Sequence, residues 1–150
     1  MIPMIRKKNI KKNNNFFYYN YNKMSKVLGG EELVIDGKEC NCDFLDNKEY
    51  LQKFIDELVI LGNMNKIGDT QFEYFPYTHY NIENDLCGYT IFQCISVSSI
   101  VIHIAEISKT VYFNFHTCKY LPDDNVVELF KKYFKPKSLR RRIINRDMNF

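Results

Sequence analysis

No stretch of this 150-residue chain approaches the eighteen or more consecutive apolar residues of a membrane helix, so a helical membrane protein is not expected. The start of the chain is charged but lacks an apolar h-region and a small-residue cleavage site, so no secretory leader is expected either. Cysteine is scarce and odd in number: Cys40, Cys42, Cys87, Cys94 and Cys118. Free thiols in a reducing, cytoplasmic compartment follow, rather than a disulfide framework. Cys40-Asn41-Cys42 has one intervening residue and no second pair, which is a poor zinc signature and reads as structural cysteine. His79 and His116 have no partner at ligand spacing, so no metal is assigned.

Residues 1–26 lack acids altogether while carrying seven of the 21 Lys and Arg, which leaves 14 basic against 18 acidic residues in the remainder. A basic tail ahead of a mildly acidic body argues against a nucleic-acid-binding domain, which carries its positive charge on the folded face. The run Asn13-Asn14-Asn15 followed by Phe16-Phe17-Tyr18-Tyr19 has neither helical nor strand period. Residues 1–26 therefore read as a disordered extension and 27–150 as one domain, a length that suits a single core.

Within 27–150 the periodicities alternate. Leu33-Val34-Ile35-Asp36 is a short strand closed by Gly37. Residues 48–61 place Leu51, Phe54, Ile55, Leu58 and Leu61 at helical spacing, with Asp46 or Asn47 as cap and Gly62 as stop. Strands are predicted at 71–77, 89–97, 99–106 and 110–117. Pro122-Asp123-Asp124 opens a second helix with Val126, Val127, Phe130, Tyr133 and Phe134 on one stripe, Pro136 ends it, and a last strand spans Ser138 to Arg146. The expected fold is an α+β two-layer sandwich, a mostly antiparallel sheet covered on one face by two helices.

Chemistry concentrates in Ser98-Ser99-Ile100-Val101-Ile102-His103 and, fifteen residues after the histidine, Phe115-His116-Thr117-Cys118. A hairpin centred on Ser108 would set Ser98 directly across from Cys118, where opposed Cβ atoms lie roughly 4.5–5.5 Å apart. His103 is an odd number of residues from Ser98, which in a flat strand puts the two on opposite faces. A bulge or turn near Ser98 is needed to unite them, and a strained peptide there would favour an acyl shift.

These segments, together with Leu33–Asp36 followed by Cys40 and Asn41, and Gly62-Asn63-Met64-Asn65-Lys66-Ile67-Gly68 after the first helix, resemble the small prokaryotic-type, pyruvoyl-dependent S-adenosylmethionine decarboxylases. The resemblance implies that Ser98 attacks the carbonyl of Val97, that the ester eliminates, and that hydrolysis leaves a covalent pyruvoyl group heading residues 98–150. It assigns self-processing to His103 and proton donation to Cys118. The pyruvoyl ketone would take the substrate amine as a Schiff base, with no pyridoxal phosphate and no diffusible cofactor. A homodimer of cleaved protomers and a role in spermidine synthesis are implied in the same way.

The sequence departs from the family pattern at Val97, Ser99 and Val101, where the family usually has Glu, His and Ser, and at Glu106, which stands where proline would. Two alternatives follow. One is a pyruvoyl decarboxylase of arginine or ornithine; the other is a non-catalytic regulatory homologue that binds a partner subunit. Arg140-Arg141-Arg142 with Lys135, Lys137 and Arg146 reads as a solvated or subunit-facing strand edge, and Glu31, Glu32 and Asp36 as surface acids or sulfonium-binding charges.

Overall fold

Apolar side chains at every second position dictate how the strands lie. In β1 (Glu31–Lys38) Leu33 and Ile35 are buried; in β4 (Ser98–Ala105) Ile100, Ile102 and Ile104 are; in β5 (Thr110–Thr117) Val111, Phe113 and Phe115 are. Strand side chains alternate between faces, so these residues form one apolar surface. The computed structural model describes residues 29–41, 43, 45–76 and 87–146. The extension 1–26, Cys42 and His79 lie outside them.

With β2 (Gln71–Phe75), β3 (Gly88–Ile95) and β6 (Ser138–Asn145), the strands form one six-stranded sheet in the order β2-β3-β4-β5-β1-β6. Every pairing among the described residues is antiparallel. The α+β two-layer sandwich is thus what forms. β1 enters between β5 and β6, which makes the last strand the sheet's edge.

Two helices seal the apolar face. Helix α1 (Lys48–Leu61) starts where Asn47 accepts the Tyr50 N–H and buries Leu51, Phe54, Ile55, Leu58 and Val59. Val59 takes the place expected of Leu61, which packs only at the margin of the core. Gly62 follows in right-handed conformation at φ −75, and Asn63, at φ 49, makes the left-handed turn instead. Helix α2 (Asp123–Phe134) has Asp123 and Asp124 in its first turn and Lys131 and Lys132 in its last, each sign matched to the helix dipole. Lys135 in the left-handed region and then Pro136 stop it.

Phe54 is the hub of the interior. Its ring centroid lies 4.8 Å from Phe134, 5.2 Å from Tyr133 and 6.0 Å from Phe113, tying both helices to the central strands. Gly37 does not close β1 as its sequence context suggests. The strand runs on to Lys38, and Gly37 is where α2 comes closest: a Cβ there would stand 2.9 Å from the Phe130 ring and 3.2 Å from the Cys40 sulfur. Cys40 is buried and its N–H donates to Lys109 O, a structural role.

The opposite sheet face carries no helix among the described residues. Thr90, Phe92 and Cys94, then Ser99, Val101 and His103, then Tyr112, Asn114 and His116, then Glu32, Val34 and Asp36 lie on it in successive strands. These side chains are half-buried or exposed, against near-complete burial on the helical face. No helix of the described residues is long and apolar enough to cross a membrane.

Candidate active site

Strands β3 and β4 are joined by two residues, Ser96 and Val97, with Ile95 paired to Ser98. A turn this short needs positive φ, and Val97 adopts it at φ 58 with the residue 59% exposed. For a β-branched residue the left-handed region is sterically costly, and such outliers persist only where surrounding structure enforces them. That enforcement comes from the segment after α1. Asn65 O accepts the Ser96 N–H at 2.9 Å, Asn65 N donates to Ser96 Oγ at 3.3 Å, and Ile67 N donates to Cys94 O at 2.9 Å. Gln93, fully buried, donates to Cys94 O at 2.6 Å and accepts from Thr70 Oγ1 at 2.6 Å. The strained turn is therefore stitched to the 62–70 loop at both its backbone and its flanking side chain.

Immediately after that turn, Ser98 Oγ is buried with no hydrogen-bond partner. Buried hydroxyls are usually satisfied, so an orphan beside a strained peptide is notable chemistry. The oxygen has no competing acceptor, and attack on the carbonyl carbon of Val97, on its own amino side, would close a five-membered ring.

The β4–β5 register differs from expectation by one. The connection is the four-residue turn Glu106–Lys109 rather than a loop centred on Ser108, with Lys109 at φ 53, so Ser98 faces Thr117 and not Cys118. A one-residue slip exchanges faces. Ser98 shares the helical face with Ile100 and Thr117, whereas Cys118 is exposed beside His116, its Sγ 4.0 Å from His116 Nε2. Thr117 holds Cys118 there, because its Oγ1 accepts the Lys119 N–H at 2.9 Å and donates to Lys119 O at 3.1 Å. Cys118 thus follows the residue that opposes Ser98 and is not itself paired with it.

His103 does not meet Ser98 within the chain. No bulge interrupts β4, so His103 stays on the helix-free face, about 16 Å along the strand at roughly 3.3 Å per residue. Its Nδ1 lies 2.9 Å from Thr90 Oγ1 and its ring stacks near Tyr112. Glu106 marks the far end of β4, where Cys87 Sγ lies 3.6 Å from Glu106 Oε2. Burial and then the Glu106 carboxylate push the Cys87 thiol above its ordinary pKa.

The acids near the sheet edge are engaged: Asp36 takes Arg140 at 2.8 Å and Arg142 at 3.4 Å, and Glu32 takes Arg146 at 3.2 Å. Arg141 pairs with Asp123 and Asp124 of α2. Much of the C-terminal basic run is thereby neutralised within the fold, which is how an edge strand avoids templating another sheet.

A family model described as S-adenosylmethionine decarboxylase matches residues 31–147, from the first residue of β1 to just past β6. The chain belongs to that family. Among solved structures, it resembles the crystal structure of the adenosylmethionine decarboxylase from Aquifex aeolicus VF5 with a TM-score of 0.65 and 17% sequence identity, over 81% of this chain and 93% of that one. At that identity the likeness speaks to the fold. No curated protein matches the chain at comparable significance. For a decarboxylase-family chain, two features of the site were not read from the sequence. The buried Gln93 carried no signal beyond its place in an apolar strand, and His116 was considered only as a metal ligand, although it stands two residues before Cys118 at the end of β5.

Proposed function

We propose that this chain is a self-cleaving, pyruvoyl-dependent S-adenosylmethionine decarboxylase that supplies the aminopropyl donor for spermidine synthesis. The observation that carries the reading is the partnerless, buried Ser98 hydroxyl next to Val97 at φ 58. In self-cleavage the Ser98 oxygen bonds to the Val97 carbonyl carbon as the amide C–N bond breaks, and the freed nitrogen takes the hydroxyl proton. Loss of the α-proton expels Val97 as a carboxylate, and water then replaces the nitrogen, released as ammonia. The products are chains 1–97 and 98–150. These residues fit the prosthetic group, since Ser98 is at once its precursor and its anchor.

When in place, a pyruvoyl ketone supplies an electron sink for the pair released as carbon dioxide departs. The remaining work falls to side chains. Cys118 donates the proton that the substrate α-carbon requires. Its sulfur and Ser98 Oγ start on opposite faces, but cleavage frees residue 98 from the turn and with it from the strand parity that holds them apart.

His103 assists Ser98, and because it lies far along the same strand the assistance comes from a second copy. The helix-free face is where two copies pack. A two-fold axis through Val101, midway between Ser99 and His103 on that face, would set His103 of one protomer at the Ser98 end of the other. Phe92, Tyr112 and Ile144 leave apolar surface exposed there.

The test is intact mass followed by substrate. Two fragments split before Ser98 that release labelled carbon dioxide from carboxyl-labelled S-adenosylmethionine support the reading, and Ser98→Ala should remain a single chain. Release from arginine or ornithine instead moves the assignment to those substrates. The opposed faces of Ser98 and Cys118 favour one other reading, a non-catalytic regulatory homologue. An intact 18.0 kDa chain after prolonged incubation would establish that one instead.

A further inference from the structure

Histidines in strands normally have their ring nitrogens hydrogen-bonded, as His103 does through Nδ1 to Thr90. His116 is different. Its Nδ1 is buried without a partner, while its Nε2 faces the Cys118 sulfur at 4.0 Å. The ring is held by shape instead. Gly30, at φ 139, backs it so closely that a Cβ there would stand 3.2 Å from His116 Cε1 and 3.0 Å from Thr117 O.

The charged groups around the ring are accounted for. On β1 the opposed residue is Glu32, whose Oε1 accepts from Asn114 at 3.0 Å and whose Oε2 accepts from Arg146 of the β6 end at 3.2 Å. On β4 the opposed residue is the neutral Ser99. Glu32 is thus committed elsewhere, and the polar outlet that remains to the imidazole is Nε2, toward Cys118.

We propose that His116 is a positioning residue for Cys118, holding its sulfur at the Ser98 end of the sheet and restoring its proton after each turnover. This rests on the decarboxylase reading above. The Cys118 S–H bond breaks as the substrate C–H bond forms, leaving a thiolate. The doubly protonated His116 ring then gives its Nε2 proton to sulfur and becomes neutral, and Nε2 regains a proton from solvent at the exposed edge. An imidazole titrates near neutrality and suits that relay, and contacts of this kind shorten when substrate closes the site.

The experiment compares the full chain with His116→Phe, which keeps the ring's volume, and His116→Gln, which keeps a polar group that does not titrate. Iodoacetamide alkylation of Cys118 is followed by peptide mass against pH, with decarboxylation measured in parallel. The inference expects a second limb, from the imidazole, in the wild-type alkylation profile, and its loss in both variants. It also expects kcat to fall on the order of 100-fold, with KM changed less than about twofold and self-cleavage intact. Superimposable profiles in the wild type and the Gln variant would overturn it, as would an unchanged kcat. Should the wild type cleave but leave S-adenosylmethionine untouched, the decarboxylase reading fails, whereas the alkylation profile still decides whether His116 governs Cys118.

Discussion

Val97 concentrates the conformational cost of the site in one residue. A left-handed conformation costs an L-residue roughly 1–2 kcal/mol through its Cβ, and branching at Cβ crowds the adjoining carbonyl as well. The two contributions would act oppositely on the proposed self-cleavage, since strain raises the ground state while branching obstructs attack on the carbonyl. Two substitutions separate them. Val97→Ala keeps Cβ and removes the branch, so cleavage should run as fast or faster. Val97→Gly removes the strain itself, and at about 1.4 kcal/mol per decade should cleave up to about tenfold more slowly than the Ala variant. Time courses of intact mass give both rates, and a Gly variant faster than Ala would dismiss strain as a contributor.

At the scale of elements, α1 and α2 meet through a polar seam as well as the Phe54 hub. Tyr133 donates to Glu57 Oε1 at 2.6 Å, Lys132 to Glu57 Oε2 at 2.8 Å, and Tyr50 to Tyr133 O at 3.0 Å. Burial and then Glu57 push the Tyr133 phenol far above its ordinary range, and burial raises Tyr50 less. The bond from Lys132, followed by that from Tyr133, holds Glu57 below the usual glutamate value. A depressed folded pKa stabilises the fold above the unfolded value, near 4.3, and that contribution fades as pH falls through the folded value. Glu57 is well solvated, so Glu57→Gln should cost no more than about 1 kcal/mol at pH 7. The two proteins should converge as pH falls below about 4.3 toward the folded value, where the wild-type carboxyl protonates. Urea midpoints at both pH values measure this, and a gap that persists in acid would place the effect in packing rather than charge.

The same scale explains what the sequence disclosed and what it withheld. Both helices and the course of each strand were legible because apolar spacing changes from 3.6 to 2 with the element, and Pro122, Pro136 and Asn47 punctuate it. Ser98 and Cys118 were singled out by resemblance. Their register was not legible, because hairpin parity depends on one residue of loop length between Ala105 and Thr110, and several polar residues there suit either count. Gly37 misled for a related reason: glycine signals a turn and a close helix approach equally well, and only the position of Phe130 decides between them.

For the whole molecule, the proposed role of His103 in processing would make an oligomer part of the chemistry, because Ser98 and His103 stand five residues apart on opposite faces of β4. If His103 acts across a two-fold axis at Val101, two defective chains should repair one another. A chain carrying His103→Ala keeps its serine, a chain carrying Ser98→Ala keeps its histidine, and each alone should stay intact. Co-expressed with distinct tags, the His103→Ala chain should be cleaved in mixed dimers, because the partner's His103 would lie against Ser99, one residue from the bond that Ser98 attacks. The Ser98→Ala chain has nothing to cleave. Val101→Lys sets like charges against each other on that axis while changing a half-buried position in the isolated protomer, so it should cost the fold little yet shift native mass toward monomer and slow cleavage. Repair in the mixed dimer together with its loss on adding Val101→Lys would place processing between copies. Cleavage of the His103→Ala chain by itself would return the task to groups within one chain.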